Sequence, residues 1–130
     1  MNRGVLLADV NDDGYLDILK RQLNDNSPTL QHLSQCGSST FLRIELEQPG
    51  MNRKAIGAII DVTRADGSTL RRWIHAGSAS MYVGHPPEAH FGLGDDTVVD
   101  VAITWPDGAR STLEPIATGQ RVVIARDELP

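Results

Sequence analysis

Along this chain apolar side chains recur at every second position more often than at helical spacing. Phe41-Leu42-Arg43-Ile44-Glu45-Leu46-Glu47 is the clearest case: Leu42, Ile44 and Leu46 fall on one side, and Arg43, Glu45 and Glu47 on the other. Successive side chains of a strand point to opposite faces, so this pattern predicts a strand with one buried and one wetted face. Similar runs, bounded by turn residues, predict strands over 4–8, 16–21, 29–33, 40–47, 56–64, 69–76, 98–105, 110–113 and 121–125. Asp66-Gly67 and Asp107-Gly108 each lie between two such runs and supply the positive φ of tight turns, which predicts two antiparallel hairpins. The chain reads as all-β: an antiparallel β-sandwich-like domain preceded by an N-terminal β-hairpin that carries an Asp-rich loop.

Two polar stretches interrupt the pattern, Asn24-Asp25-Asn26-Ser27-Pro28 and Ser34-Gln35-Cys36-Gly37-Ser38-Ser39. They divide the chain into a short unit, 1–39, and a body, 40–130. The first is too small to bury a core alone, so it is expected to pack on the body or on a neighbour. His90-Phe91-Gly92-Leu93-Gly94 lacks the register of a phosphate-cradling loop and reads as a turn or strand end.

Charge narrows the partners. The 130 residues carry a formal net charge of −5 with both signs interspersed. With no basic stripe to neutralise phosphates, nucleic acid is not an expected partner. Apolar runs stay below the roughly 18 to 20 residues of a spanning helix, and the start reaches Asp9 before a signal-peptide core develops. Neither a membrane span nor a signal peptide is expected in the chain as it stands. Cys36 is the single cysteine, so it has no partner for a disulfide or a zinc site and reads as a small hydrophobe or free thiol.

The segment with the most specific chemistry is Asp9-Val10-Asn11-Asp12-Asp13-Gly14-Tyr15-Leu16-Asp17. Side-chain oxygens fall at positions 1, 3, 5 and 9 of the loop, and glycine at position 6 permits a sharp turn. Asp9, Asn11, Asp13 and Asp17, with the Tyr15 carbonyl, form an all-oxygen set suited to Ca2+ in a structural role. Asp12 is expected to face solvent. An EF-hand is excluded, because its glutamate position holds Lys20 and short strands flank the loop where helices should. The pattern resembles the calcium loop of FG-GAP/VCBS-type propeller repeats, in which such a turn joins two strands. The plainer alternative is an acidic turn without metal.

From residue 40 onward the order of motifs resembles the ASPIC/UnbV family. They are Phe41-Leu42-Arg43-Ile44-Glu45-Leu46, Asn52-Arg53-Lys54-Ala55-Ile56-Gly57-Ala58, Ala76-Gly77-Ser78, His90-Phe91-Gly92-Leu93-Gly94 and Val101-Ala102-Ile103-Thr104-Trp105-Pro106-Asp107-Gly108. Ala79-Ser80-Met81-Tyr82-Val83-Gly84-His85 departs from the Tyr and Ser-Gln pattern of relatives. The resemblance implies a non-enzymatic, calcium-associated binding or adhesion module, extracellular or at the cell surface, with a protein or carbohydrate ligand. It also implies that strand edges left uncovered could pair into a homodimer.

Two rival functions follow from the residues. One is a self-associating structural fragment. The other is a glycan-processing hydrolase with Asp95 and Asp96 near His90, although no nucleophile elbow or triad spacing supports it. His75, His85 and His90 match no zinc spacing and are expected to be structural. Trp105 is expected to end a strand at the core's edge, and Trp73 to be either core or an exposed ligand platform.

Overall fold

In a computed structural model, the described residues are 2–22, 28–34, 37–77 and 84–126. The expectations for Cys36, for the polar stretch at 24–27 and for most of the departure at 79–85 lie outside them. The described residues form eleven strands: β1 (Asn2–Ala8), β2 (Asp17–Gln22), β3 (Leu30–His32), β4 (Thr40–Glu47), β5 (Ile59–Thr63), β6 (Thr69–Trp73), β7 (Glu88–Gly94), β8 (Val98–Thr104), β9 (Arg110–Thr112), β10 (Ile116–Ala117) and β11 (Gln120–Ala125).

The strands assemble into three sheets. An N-terminal meander has the order β1-β2-β3, a second sheet has β10-β8-β5-β6 with β9 also on β8, and a third has β11-β4-β7. The last two make the sandwich, and alternation explains why they close on each other. Leu42, Ile44 and Leu46 of β4 and Ala89, Phe91 and Leu93 of β7 form one core cluster with Ile60 and Val62 of β5 and Val99, Val101 and Ile103 of β8. All are buried. Each such side chain, when fully buried, contributes roughly 1.5 to 3 kcal/mol of transfer free energy, so this inner layer carries the domain's stability.

Both expected hairpins form, β5 to β6 through Asp66-Gly67 and β8 to β9 through Asp107-Gly108, with φ of 83° and 88° at the two glycines. On the outer face Arg71 lies opposite Asp61 and donates from Nε and Nη2 to its two oxygens at 2.7 and 2.9 Å. That two-pronged bond holds the Asp61 carboxyl below its ordinary pKa.

The structure corrects four expectations. Of the two expectations for 90–94, a turn or a strand end, the turn is overturned: the segment is the C-terminal part of β7, whose Ala89, Phe91 and Leu93 face the core while Gly92 is exposed. Glycines at alternate positions disguised the strand. β5 begins at Ile59 rather than 56, because Asn52 folds the preceding segment into a turn. Its Oδ1 accepts from the Ile56 amide and its Nδ2 donates to the Ile56 carbonyl, both at 2.9 Å. β6 ends at Trp73 rather than 76. Arg43, assigned to the wetted face of β4, is only 8% exposed. The short β10 was not anticipated, and β11 pairs parallel to β4, giving an otherwise antiparallel sheet one parallel edge.

Candidate functional site

The loop 9–16 joins β1 to β2 and is held by its own carboxylates. Asp9 is buried, and its Oδ1 and Oδ2 accept from the amides of Asp13 and Gly14 at 3.1 and 3.0 Å. Asp17, fully buried, accepts from the Val10 amide at 3.0 Å and, across to the segment after β3, from the Ser34 amide at 2.8 Å. Asp13 accepts from the Tyr15 amide at 2.9 Å and from Asn11 Nδ2 at 2.8 Å. Two residues take left-handed backbone angles, Asp12 at φ 57° and Gly14 at φ 89°, which curl the chain so that these amides turn inward.

The donor set suits a hard cation in its chemistry. Five of the six oxygens of Asp9, Asp13 and Asp17 accept one N–H and keep a further lone pair, while Asp9 Oδ2 accepts both the Gly14 amide and Arg43 Nη1. Four aspartates lie within nine residues, and Arg43 is the one cation paired with them among the described residues. Asn11 and Asp13 are exposed, and no three His, Cys, Asp or Glu side chains among the described residues converge in a metal-holding cluster.

The loop is fastened to the sandwich at two points. The first is Arg43 of β4, whose Nη1 lies 3.3 Å from Asp9 Oδ2 and 2.6 Å from Asp12 Oδ1. Its Nη2 donates to both oxygens of Glu88, at 3.1 and 3.3 Å. Burial works against the charge on Arg43, yet Glu88, Asp12 and Asp9 outweigh it and raise its pKa. Its Nε is buried without a partner. Asp12 is exposed, as expected, but it also closes on this guanidinium. The second point is a small stack: His90 lies parallel to Phe41 with ring centroids 6.0 Å apart, and His90 Nε2 sits 2.9 Å from the Gly14 carbonyl oxygen. Tyr15 adds a hydroxyl bond to the Ser39 carbonyl at 3.3 Å.

Where the meander stands off from the sandwich it leaves an open groove. One section, about 340 Å3, is lined by Leu7 and Leu16 on the meander side and by Arg72, Trp73, His75 and His90 on the sandwich side. The next section, about 440 Å3, shares Leu16, Arg72 and His90 and reaches Tyr15. Trp73 is 49% exposed there, so it is not core.

The remaining candidates separate. Asp96 pairs with Arg64 Nε at 2.6 Å, Asp95 is exposed on the turn after β7, and His90 is tied to the Gly14 carbonyl within that strand. The structure therefore does not bring these three together as acid and base. Trp105 is 2% exposed and lies deeper than a strand-end cover, with Nε1 donating to Ser111 Oγ at 2.9 Å and Arg126 stacked 5.2 Å from its ring. Arg43, Phe41 and Glu88, which fix the loop in place, were missed by sequence reasoning.

Comparison with known proteins identifies relatives for this arrangement. A family profile described as ASPIC and UnbV matches residues 48–129. Cartilage acidic protein 1 of Homo sapiens is 30% identical over 136 residues, covering 96% of this chain and 20% of that protein. Its counterparts in Mus musculus and Xenopus tropicalis are 33% and 32% identical over 111 residues, covering 81% of this chain and 16% of each relative. The chain thus spans a fifth or less of the length of these relatives.

Proposed function

The chain belongs to the ASPIC and UnbV family, and from that premise we propose that it is a non-enzymatic binding module of the extracellular type, braced by a structural calcium ion. Asp9, Asn11, Asp13, Asp17 and the Tyr15 carbonyl would hold the ion, whose double charge would offset the crowded carboxylates and cross-link the loop. The observation that carries this reading is the loop itself. Carboxylates at positions 1, 5 and 9 of the loop, each braced by a backbone amide and each with a lone pair to spare, occupy the turn of a two-stranded hairpin. On this reading 1–39 is a partial FG-GAP/VCBS-type repeat with a calcium loop and 40–130 the binding body. Similarity to relatives named for cartilage supports the extracellular setting, and the ligand is a protein or a glycan.

Calorimetric titration of calcium into chelator-treated protein tests this. One saturable site is expected, lost in Asp13→Ala, whose side chain is exposed and outside the core. Failure to bind at millimolar calcium would leave an acidic turn.

A second reading has its own observation. Val5 and Leu7 on β1 and Ile18 on β2 are 53%, 48% and 42% exposed, with Leu7 directly opposite Ile18. This apolar face, whose Leu7 end also lines the groove, favours assembly, either onto a further part of a longer chain or onto a second copy as a homodimer. Light scattering over a range of concentrations decides: a mass fixed at one chain excludes the second copy.

A further inference from the structure

We propose that the groove between the meander and the sandwich binds an acidic oligosaccharide, with Trp73 as the stacking platform and Arg72 as the carboxylate receptor. This rests on the binding-module reading above and assigns it a site and a ligand class.

The groove has the dimensions and lining of a site for a chain of sugar rings. Its two sections, about 340 and 440 Å3, share Leu16, Arg72 and His90 and so run on from one another. Ligand clefts fall in the range of roughly 300 to 1,000 Å3 and combine apolar walls with a few placed polar groups. An aromatic side chain stands in each section, Trp73 in the first and Tyr15 in the second, with Arg72 lining both. One face of a pyranose presents only C–H groups, and a half-exposed indole offers a matching flat apolar surface. The ring's hydroxyls then need nearby donors and acceptors, which the exposed imidazole of His75 provides.

Arg72 decides the charge of the ligand. It neighbours Arg71, whose guanidinium is committed to Asp61. Arg72 itself is exposed and, among the described residues, bonds from Nη1 to the Arg71 carbonyl at 2.9 Å and has no carboxylate within ion-pair distance. Glu88, the acidic side chain lining the first section, is engaged by Arg43. Arg72 lies 5.6 Å from the centroid of the Phe91 ring, so among the described residues the groove offers a guanidinium with no carboxylate partner to a uronate, which it can grip with two parallel N–H bonds. A densely sulfated polymer suits this protein less, because the chain as a whole carries a net charge of −5.

The test titrates calcium-saturated protein with two hexasaccharides, one of alternating glucuronate and N-acetylglucosamine, the other of N-acetylglucosamine alone. The acidic oligomer is expected to bind, and to bind better than the neutral one. Trp73→Ala should weaken that binding about tenfold. Arg72→Gln should abolish the preference for the acidic oligomer and its sensitivity to salt. Both side chains are exposed, and circular dichroism confirms that the variants fold. Equal binding of the two oligomers, absence of binding, or unchanged binding in both variants overturns the proposal. Calcium binding measured on the same samples separates this outcome from failure of the calcium-braced module itself.

Discussion

Gly14→Ala is expected to release the N-terminal meander from the sandwich while leaving the sandwich folded. Two effects add at this position. A φ of 89° strains any residue with a Cβ, and a Cβ built there would overlap the Phe41 ring, with its Cγ at 2.7 Å. Left-handed strain costs about 1 to 3 kcal/mol, and overpacking a well-filled contact costs about as much again. The ring cannot simply rotate away, because it is stacked on His90, which in turn is bonded to the Gly14 carbonyl. The main core cluster contains none of β1 to β3, so the loss should be local. Limited proteolysis should cut the variant within 4–22 much faster than wild type, at an unchanged rate in β4 and β8. Equal protection in both proteins would mean that the stack does not fasten the loop.

Arg43→Met should cost the whole domain about 3 kcal/mol, the scale for removing one member of a buried ion pair. Methionine fills much of the volume, so the loss measures charge. Asp9 and Glu88 have side chains only 1% and 12% exposed, and without the guanidinium their carboxylates stay in place with fewer partners. The two amides on Asp9 and the proximity of Arg121 to Glu88 at 3.9 Å keep the loss near the low end of that scale. Asp12→Ala should cost well under about 1 kcal/mol despite its 2.6 Å contact, because its side chain is 80% exposed and water replaces the pair. Urea midpoints at constant m-value give the comparison. A loss for Asp12→Ala as large as for Arg43→Met would contradict the assignment of the effect to burial.

How much of this was legible in the sequence depended on whether a signal was local. The inward row of β4 and the Asp-Gly turns needed only a few consecutive residues, and both stood out. Spacing likewise singled out the loop residues as candidate ligands; in the structure Asp9 and Asp17 are buried and Asn11 and Asp13 exposed, all four bonded within or beside the loop. Arg43 could not be found this way. Alternation assigns it correctly to the outer face of β4, but nothing within the strand reveals that a loop more than thirty residues earlier covers that face. The same applies to the joint of Gly14, Phe41 and His90, whose members are spread over 76 residues. β7 was hidden for a different reason: glycine has low strand propensity, and two of them outweighed the alternation of Ala89, Phe91 and Leu93. The parallel pairing of β11 with β4 is set by the path of the whole chain, and no local pattern encodes it.

On the function proposed above, calcium braces the Asp-rich loop and, through it, the meander. Amide hydrogen exchange followed with and without calcium tests it most directly, since protection reports local opening. Slower exchange is expected in β1, β2 and the loop between them on adding calcium, with β4, β5 and β8 unchanged. No change in the loop, or an equal change throughout the chain, would contradict it.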